Sequence, residues 1–478
     1  MIKTLSGCIG QYKCESILTP LFTALEVFME ILIPFITASI IDKGIQAQNM
    51  SMVLLYGGIM IACAFLSLFF GVEAGRYAST ASTGFACNLR DAMYENIQSF
   101  SFSNIDKFST AGLVTRMTTD VTNLQNAYQM LMRIAVRAPL MLICSMIMCF
   151  VINVELSLVF LAALVLLGIV LLTVMKRAMP IFTRVFARYD DVNASVQENV
   201  SAIRVVKAFV REKHESEKFE KAAEELYKLF VKAESTIIVN YPIMMTVIYG
   251  SILALSWFGA HFIVSGTLTT GNLTSLISYV ISMMMSLMML SMIFVMLTMS
   301  MASARRIAEV LNEKADLTDP EQPETVIADG SIDFDHVCFS YRAGSGEDVL
   351  HDIDLHIHSG ETVGIIGSTG SGKTSLVSLV SRLYDVKSGS VRVGGRDVRE
   401  YTLEALRSGV SMVLQNGTLF SGTIRDNLRW GDPNADDDEL RRACAISCAD
   451  EFIDRFPDGY DTLLEQNAAN LSGGQKQR

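Results

Sequence analysis

An excess of positive charge is the first thing that this sequence lacks. It contains 39 lysine and arginine residues against 50 aspartate and glutamate residues, a net charge of −11. Acidic and basic residues balance over residues 1–319, so the excess of acid lies in residues 320–478. Proteins that bind nucleic acid through their overall charge need a basic surface. We therefore predict no nucleic acid partner.

Closely spaced cysteines are also missing. The nine cysteines are scattered, and no two of them form a CxxC pair. A disulfide framework or a zinc site would need such a regular spacing, so we predict reduced thiols. His356 and His358 alternate on a predicted strand. Two imidazoles without a third ligand favour an ordinary strand face over a metal site.

Charged residues are scarce, at 19% of the chain, whereas hydrophobic residues make up 50% of the 478 positions. This is too apolar for one soluble domain and too long for a single core. A bilayer span needs about 20 mostly apolar residues. Six stretches qualify, at residues 17–41, 52–75, 134–152, 156–175, 241–264 and 275–300. The first lacks a small-residue cleavage site and exceeds a signal-peptide core, so we predict a retained span.

The positions of lysine and arginine predict the orientation of these spans. The loops 42–51, 153–155 and 265–274 contain one basic residue, Lys43. Cytoplasmic loops carry the basic excess, so both ends of the six-span segment are predicted to be cytoplasmic. Residues 195–230 combine helical apolar spacing from Val196 to Val210 with charge pairs such as Glu217 and Lys221. This pattern predicts helices that continue well into the cytosol.

Two features of the predicted spans have both a functional and a structural interpretation. Glu26 and Glu30 lie one turn apart on the first span. They are either a functional intramembrane pair, for example one that balances a cationic cargo, or a hydrated face of the bundle. The sixth span is crowded with methionine. Methionine adapts to varied apolar shapes, so it either lines a promiscuous cavity or packs the spans together.

Residues 331–341, SIDFDHVCFSY, alternate as a half-buried strand does, and residues 361–367, ETVGIIG, read as a short apolar strand. The turn that follows, GSTGSGKT, fits the phosphate-loop pattern G-x-x-x-x-G-K-[ST]. Its backbone amides would surround phosphate oxygens, Lys373 would reach the β- and γ-phosphates, and the Thr374 hydroxyl would hold Mg²⁺. The next helix begins near Ser375 and points its positive end at the anion. The predicted nucleotide-binding residues are Gly367, Ser368, Thr369, Gly370, Ser371, Gly372, Lys373, Thr374 and Ser375.

Over nearly its whole length the sequence resembles the ATP-binding cassette exporters of the multidrug type, as a half-transporter. Besides the phosphate loop, the resemblance is carried by FSY, VLQNGTLFSGTIRDNL and the signature LSGGQ at 471–475. It implies that Tyr341 stacks on adenine and that Gln415 contacts Mg²⁺ and the attacking water. Residues 108–121 and 204–219 resemble the two cytoplasmic coupling segments of the family.

The resemblance implies a multi-domain fold. An all-α transmembrane domain with six spans, residues 1–319, precedes an α/β phosphate-loop nucleotide-binding domain, residues 320–478. In this family two cassettes meet head to tail. ATP and Mg²⁺ then lie between the phosphate loop of one cassette and the signature of the other, here Ser472, Gly473, Gly474 and Gln475. ATP closes the cassette dimer and its hydrolysis reopens it.

The implied function is a subunit of an ATP-driven exporter in a bacterial plasma membrane. Its partners would be a lipid bilayer, an amphipathic small-molecule cargo and a second half-transporter. The alternatives are a lipid or peptide exporter subunit, or a regulatory membrane subunit that binds ATP without hydrolysing it. The segment before the signature departs from the family, with Gln466 at the place of the usual glutamate. This departure fits one subunit of a heterodimer, which we predict over a homodimer, and it is equally compatible with neutral variation in a loop.

The family continues after the signature with a strand that ends in aspartate and the catalytic glutamate, and later with a switch histidine. The printed chain ends at Arg478, before these positions. We therefore expect that the chain as printed binds ATP but does not hydrolyse it alone, because no side chain is placed to activate water.

Overall fold

A computed structural model describes residues 1–341, 348–415 and 417–478. The chain divides into two compact units. Unit 1 comprises Met1–Ser99 and Asp106–Lys314, and unit 2 comprises Phe100–Ile105 and Ala315–Arg478. Phe100–Ile105 therefore belong to the second unit, although in the sequence they come between the two segments of the first.

Unit 1 consists of helices. Among the residues that the structure describes, six helical stretches are long and apolar enough to cross a membrane: Gly10–Ile45, Met50–Gln98, Thr110–Ile152, Val154–Val185, Glu212–Val264 and Thr270–Ile293. The first helices are α1 Ile2–Gly7, α2 Lys13–Ser39, α3 Met50–Gln98, α4 Phe102–Phe108 and α5 Thr110–Thr115. The later ones are α6 Val121–Ile152, α7 Val154–Ser201, α8 Ile203–Ala208, α9 Glu212–Ile238, α10 Asn240–Val264 and α11 Thr270–Asn312. The six predicted spans are confirmed as helices.

Helices α2 and α11 are joined by hydrogen bonds from side chains to backbone. Pro34 lies inside α2, where it cannot donate a backbone hydrogen bond. The hydroxyl of Tyr279 in α11 donates to the carbonyl of Ile31 at 2.7 Å, and Ser275 Oγ donates to the carbonyl of Pro34 at 2.7 Å. These two bonds connect α11 to α2 close to the proline.

The prediction of helices in residues 195–230 is confirmed, and the structure shows where the chain turns between them. Helices do extend past the apolar stretches, but α7 ends at Ser201 and the chain turns through the short helix α8 before α9 begins at Glu212. Val210 has a φ of 53°, a left-handed conformation that ends helical progression. The apolar spacing persists across this turn because the valines of α7 and α8 and Phe219 of α9 line one shallow groove of about 340 Å³.

Unit 2 contains a four-stranded antiparallel sheet in the order β2, β1, β3, β4. The strands are β1 Ile332–Phe339, β2 Leu350–Ile357, β3 Ser388–Val393 and β4 Arg396–Asp397. The prediction of a strand in residues 331–341 is confirmed. Helices α12 Lys373–Val380 and α13 Leu403–Gly409 contribute Leu379 and Leu406 to the core of this sheet, which also contains the buried Phe334, Phe339, Val391 and Val393.

A second, smaller core in unit 2 is mostly helical. Its elements are β5 Gly422–Thr423, α14 Ile424–Leu428, α15 Asp437–Ser447, α16 Asp450–Ile453, β6 Leu463–Leu464 and α17 Gly473–Gln477. Buried Ile424, Cys444, Ile453 and Leu471 form its centre. Capping boxes start both α14, at Thr423 and Asp426, and α15, at Asp436 and Glu439. The predicted fold class, a helical membrane domain followed by a nucleotide-binding domain, is confirmed.

The predicted strand at residues 361–367 does not form. This segment has no regular secondary structure, and Ile366 is 99% exposed. A strand takes its hydrogen bonds from a neighbouring strand. Within residues 348–415 and 417–478, no strand pairs with this segment. Its apolar sequence is therefore not sufficient to make it a strand.

Candidate functional site

The predicted phosphate loop leads directly into α12. The helix begins at Lys373, so the lysine stands at the junction of loop and helix. Its ammonium nitrogen donates to the carbonyl oxygens of Gly367 at 3.0 Å and Ser368 at 2.7 Å, and to Ser371 Oγ at 3.3 Å. The loop is thus folded around the head of its own lysine. This arrangement holds a positive charge at the mouth of an exposed loop, where an anionic phosphate can approach it.

The glycines of the loop have the backbone conformations and the surrounding space that a phosphate-binding loop requires. Gly370 and Gly372 have φ values of 86° and 85°, in the left-handed region that favours glycine. A Cβ atom at Gly372 would lie 2.7 Å from Cδ2 of Leu350, and one at Gly367 would lie 2.6 Å from Ser371 Oγ. At Gly370 a Cβ would meet nothing within 4 Å. The loop therefore needs its glycines, and it keeps open space beside Gly370.

An aromatic cluster lies next to the phosphate-loop helix. The hydroxyl of Tyr341 is 2.8 Å from Oγ of Ser375, which is buried in the first turn of α12. The ring of Tyr341 makes edge contacts with Phe339 and Tyr384, with centroid distances of 4.9 and 5.1 Å. Nearly half of Tyr341 is exposed, which leaves part of its ring available to a flat ligand. A groove of about 320 Å³ runs beside these rings.

The two predicted ligands of Mg²⁺, Thr374 and Gln415, are exposed. Thr374 lies in the first turn of α12, and its carbonyl accepts a hydrogen bond from Ser378 Oγ at 2.7 Å. Gln415 lies in an irregular segment next to Leu414. The Leu414 carbonyl accepts a hydrogen bond from the Gln477 side chain at 3.3 Å, which ties this segment to the end of α17. Both side chains can carry oxygen ligands suited to Mg²⁺.

The signature residues form the start of α17. Ser472 is the N-cap, and it forms a capping box with Gln475: the Ser472 N–H donates to Oε1 of Gln475 at 2.8 Å, and Ser472 Oγ accepts from the Gln475 N–H at 3.4 Å. Gly473 and Gly474 occupy the first turn, where backbone N–H groups have no intrahelical acceptor. A Cβ atom at either glycine would meet nothing within 4 Å. Their amides are accessible to an outside acceptor.

The structure places the phosphate loop and the signature on different cores. Helix α12 packs on the sheet, whereas Leu471 belongs to the helical core. Across the described part of unit 2, no hydrogen bond, ion pair or ring contact joins residues 367–375 to residues 472–475. The predicted phosphate loop and the predicted signature therefore lie apart, and the described part of the chain does not bring them together.

Exposed histidines on the sheet pair with aspartates. His336 Nδ1 lies 2.8 Å from Asp352, and His356 Nδ1 lies 2.8 Å from Asp333. In each case the hydrogen bond to the carboxylate is the main cause of a raised histidine pKa. His356 thus makes an ion pair across neighbouring strands, the ordinary use of a strand face that its alternation with His358 indicated.

Sequence reasoning missed two kinds of contact. Tyr384 was not predicted to support Tyr341, because the two aromatic residues are 43 positions apart in the chain. Arg137 was not predicted to pair with the glutamates of the first span, yet its guanidinium lies between Glu26 and Glu30 and makes ion pairs with both. The one available signal for the second contact was the presence of Arg133 and Arg137, one turn apart, at the edge of a predicted span.

Comparison with known proteins finds two family models in the chain. The model of the ABC transporter transmembrane region matches residues 16–316, and the model of the ABC transporter cassette matches residues 350–478. The chain is 36% identical over 456 residues to the ABC transporter ATP-binding protein YfiB of Bacillus subtilis, covering 95% of this chain and 79% of that protein.

Two further relatives have more specific names. One is YgaD of Bacillus subtilis, named for multidrug export as an ATP-binding/permease protein, with 29% identity over 98% of this chain and 82% of that protein. The other is the ATP-dependent lipid A-core flippase of Desulfotalea psychrophila, with 29% identity over 82% of this chain and 68% of the flippase.

Proposed function

Because the chain belongs to the ATP-binding cassette (ABC) transporter family, we propose that it is one half of an ATP-driven exporter of hydrophobic or amphipathic compounds. Six helices able to span a membrane and a nucleotide-binding unit in one chain support this assignment. The name of the relative YgaD supports a multidrug-like cargo. The name of the lipid A-core flippase makes a lipid the second candidate.

The observation that carries the proposal is the separation of two well-formed half sites. Lys373 and the loop glycines form a phosphate cradle on one core, and Ser472 with the first turn of α17 forms a set of donors on another. A single ATP enclosed by both kinds of half site needs a second cassette. The functional unit is therefore a dimer, with Tyr341 under the adenine and with Thr374 and Gln415 holding Mg²⁺.

The turn between α7 and α9 supports a second contact surface with the partner half-transporter. Val205, Phe209 and Val210 are 57%, 74% and 80% exposed at this tip. Large apolar side chains grouped at the end of a charged helical hairpin mark a contact with another protein surface. We assign this tip to the partner half-transporter, which would couple the closing of the cassettes to movement of the spans.

The distribution of basic residues supports a cytoplasmic location for the cassette in a bacterial plasma membrane. The partner is a different half-transporter by this proposal. The segment before the signature supports this, because Gln466 stands where the family usually has glutamate.

A mixing experiment tests the assignment. Lys373→Ala should abolish binding of a fluorescent ATP analogue, since the phosphates lose their nearest cation. In membrane vesicles that contain the complete transporter with its partner, Ser472→Arg should preserve binding and abolish ATP-dependent efflux of a hydrophobic dye, because the arginine blocks the donors at the start of α17. Ser408→Arg, on an exposed position of α13, is the matched control and should affect neither measurement.

Coexpression of the two defective variants distinguishes the dimer types. In a homodimer, the Lys373→Ala chain supplies an intact signature to the Ser472→Arg chain, so one composite site and part of the efflux return. In a heterodimer, no composite site is restored. Unchanged analogue binding in Lys373→Ala would refute the nucleotide site. Full efflux with Ser472→Arg would refute the head-to-tail dimer.

A further inference from the structure

The first turn of α4 belongs to the same compact unit as the four-stranded sheet. Phe100–Ile105 are part of unit 2, although they lie within residues 16–316, which match the transmembrane region. One buried asparagine fixes this turn: Oδ1 of Asn104 accepts hydrogen bonds from the backbone N–H of Ser101 at 3.1 Å and from Ser101 Oγ at 2.7 Å. The start of α4 is therefore held by its own side chains.

The same turn is attached to the segment that leads into the sheet. Ser103 Oγ donates to Oδ2 of Asp316 at 2.6 Å, and the Asp316 N–H donates to Oδ1 of Asn104 at 3.4 Å. These partners are 213 and 212 positions apart in the chain, so tertiary packing brings them together. The bonds give Phe102, which lies between Ser101 and Ser103, a fixed place in unit 2.

Phe102 connects this turn to the aromatic cluster beside the phosphate-loop helix. Its ring centroid lies 6.1 Å from that of Tyr384, and the Tyr384 centroid lies 5.1 Å from that of Tyr341 at an interplanar angle of 89°. Aromatic pairs attract each other at centroid distances of about 4.5–7 Å. Phe102, Tyr384 and Tyr341 therefore form a continuous series of ring contacts, which ends at the residue predicted to stack on adenine.

The groove beside these rings has the size and the lining for one nucleotide base. Its volume is about 320 Å³, at the lower end of the range of small-molecule sites. Ser103 and Asp316 line it together with Tyr341 and Tyr384. The Tyr341 hydroxyl lies 2.8 Å from Oγ of Ser375, in the first turn of the helix that follows the phosphate loop. A nucleotide with its phosphates in that loop can therefore extend its base toward the groove.

We propose that the start of α4 forms one wall of the base-binding groove, and that Phe102 is a positioning residue that holds Tyr341 in place for stacking through Tyr384. This inference rests on the nucleotide site of the proposed function and deepens it. Phe102 acts on the base, whereas Lys373 and the loop glycines hold the phosphates. Because linked equilibria are reciprocal, a base stacked on Tyr341 also stabilises the turn that follows α3. Nucleotide binding is thereby coupled to the end of a predicted spanning helix.

Calorimetric titration of the full chain in detergent tests this role, with Mg-ATP and, separately, with magnesium tripolyphosphate, which has no base. Phe102→Ala should weaken the binding of ATP about 2- to 12-fold, the contribution of one aromatic pair. It should leave the affinity for tripolyphosphate unchanged. Phe102→Tyr keeps the ring and should restore the affinity for ATP. Phe102 is 38% exposed, so the core of the sheet does not depend on it and we expect these variants to fold.

Phe452→Ala is the matched control, because Phe452 makes a ring contact with Phe456 at 6.2 Å in the helical core and does not line the groove. It should leave the ratio of the two affinities unchanged. Equal losses of ATP and tripolyphosphate affinity in Phe102→Ala, or an unchanged affinity for ATP, would overturn the inference. If Phe102→Ala does not fold, Phe102→Leu should show the same selective loss, and the absence of that loss would overturn it. A wild-type chain that binds neither compound would refute the nucleotide site of the proposed function, and this inference with it.

Discussion

Two glycines of the phosphate loop allow the cost of folding to be separated from the cost of binding nucleotide. Gly370 and Gly372 have nearly the same left-handed backbone, with φ values of 86° and 85°. Their surroundings differ, because a Cβ at Gly372 would lie 2.7 Å from Cδ2 of Leu350 and 3.3 Å from the carbonyl of Val349, while a Cβ at Gly370 would contact nothing. Both alanine variants carry the same backbone cost, and only Gly372→Ala adds the contact with Leu350. Comparing the two variants therefore separates the steric cost of that contact from the cost of the backbone conformation.

The expected magnitudes follow from these contacts. An L-residue in the left-handed region costs about 1–2 kcal/mol, which both variants incur. Gly372→Ala also forces a methyl group against the buried Leu350, which adds about 1–3 kcal/mol. In a domain of this size each kilocalorie lowers the Tm by about 2–4 °C. Gly372→Ala should therefore lower the Tm of the cassette by about 2–12 °C more than Gly370→Ala does.

The assay is thermal unfolding of the purified chain in detergent, combined with titration of a fluorescent ATP analogue. Gly370→Ala should keep most of the stability and weaken binding, since its methyl group enters the open space of the cradle. Gly372→Ala should lose stability before any ligand is added. Equal Tm values for the two variants would refute the role of the Leu350 contact, and undiminished analogue affinity in Gly370→Ala would refute the cradle.

Two further predictions concern the same unit. Tyr341→Phe removes the hydroxyl bonded to Ser375 and should weaken binding of the ATP analogue by about 0.5–1.5 kcal/mol. Tyr341→Ala also removes the stacking ring and should cost about 1–3 kcal/mol more. Equal losses in the two variants would refute the stacking role. His336 is stabilised in its charged form by Asp352, so its raised pKa contributes stability below its ordinary pKa, and this contribution disappears as pH rises through the folded-state pKa. An NMR titration of selectively labelled histidine should show the His336 pKa falling in Asp352→Asn, and an unchanged pKa would refute the pairing.

Much of the nucleotide site could be predicted because its parts are contiguous in the chain. The phosphate loop and the signature are each short runs in which one turn of backbone places every group, so the identities and order of the residues suffice. The six spans were predictable for a similar reason, since the bilayer requires long apolar helices whatever their partners. These are local consequences of composition and spacing.

Other features were not local, and the sequence misled. Residues 361–367 have the apolar composition of a strand, yet a strand exists only where a second strand supplies hydrogen bonds. The spacing from Val196 to Val210 predicts helices without saying where the chain turns between them, because the same side chains can line a groove formed by α7, α8 and α9. In both places the local preference was compatible with two outcomes.

The sequence by itself determined that the chain crosses a membrane six times and carries a phosphate loop and a signature, because each of these follows from neighbouring residues. The tertiary structure alone decided how distant charges meet. Arg137 is more than a hundred positions from Glu26 and Glu30, and only the packing of α2 against α6 makes the three one cluster. The space left by Gly71 on α3 then encloses the Glu26 carboxyl group. Electrostatic interactions in a bundle depend on distance and burial, and neither quantity is written along the chain.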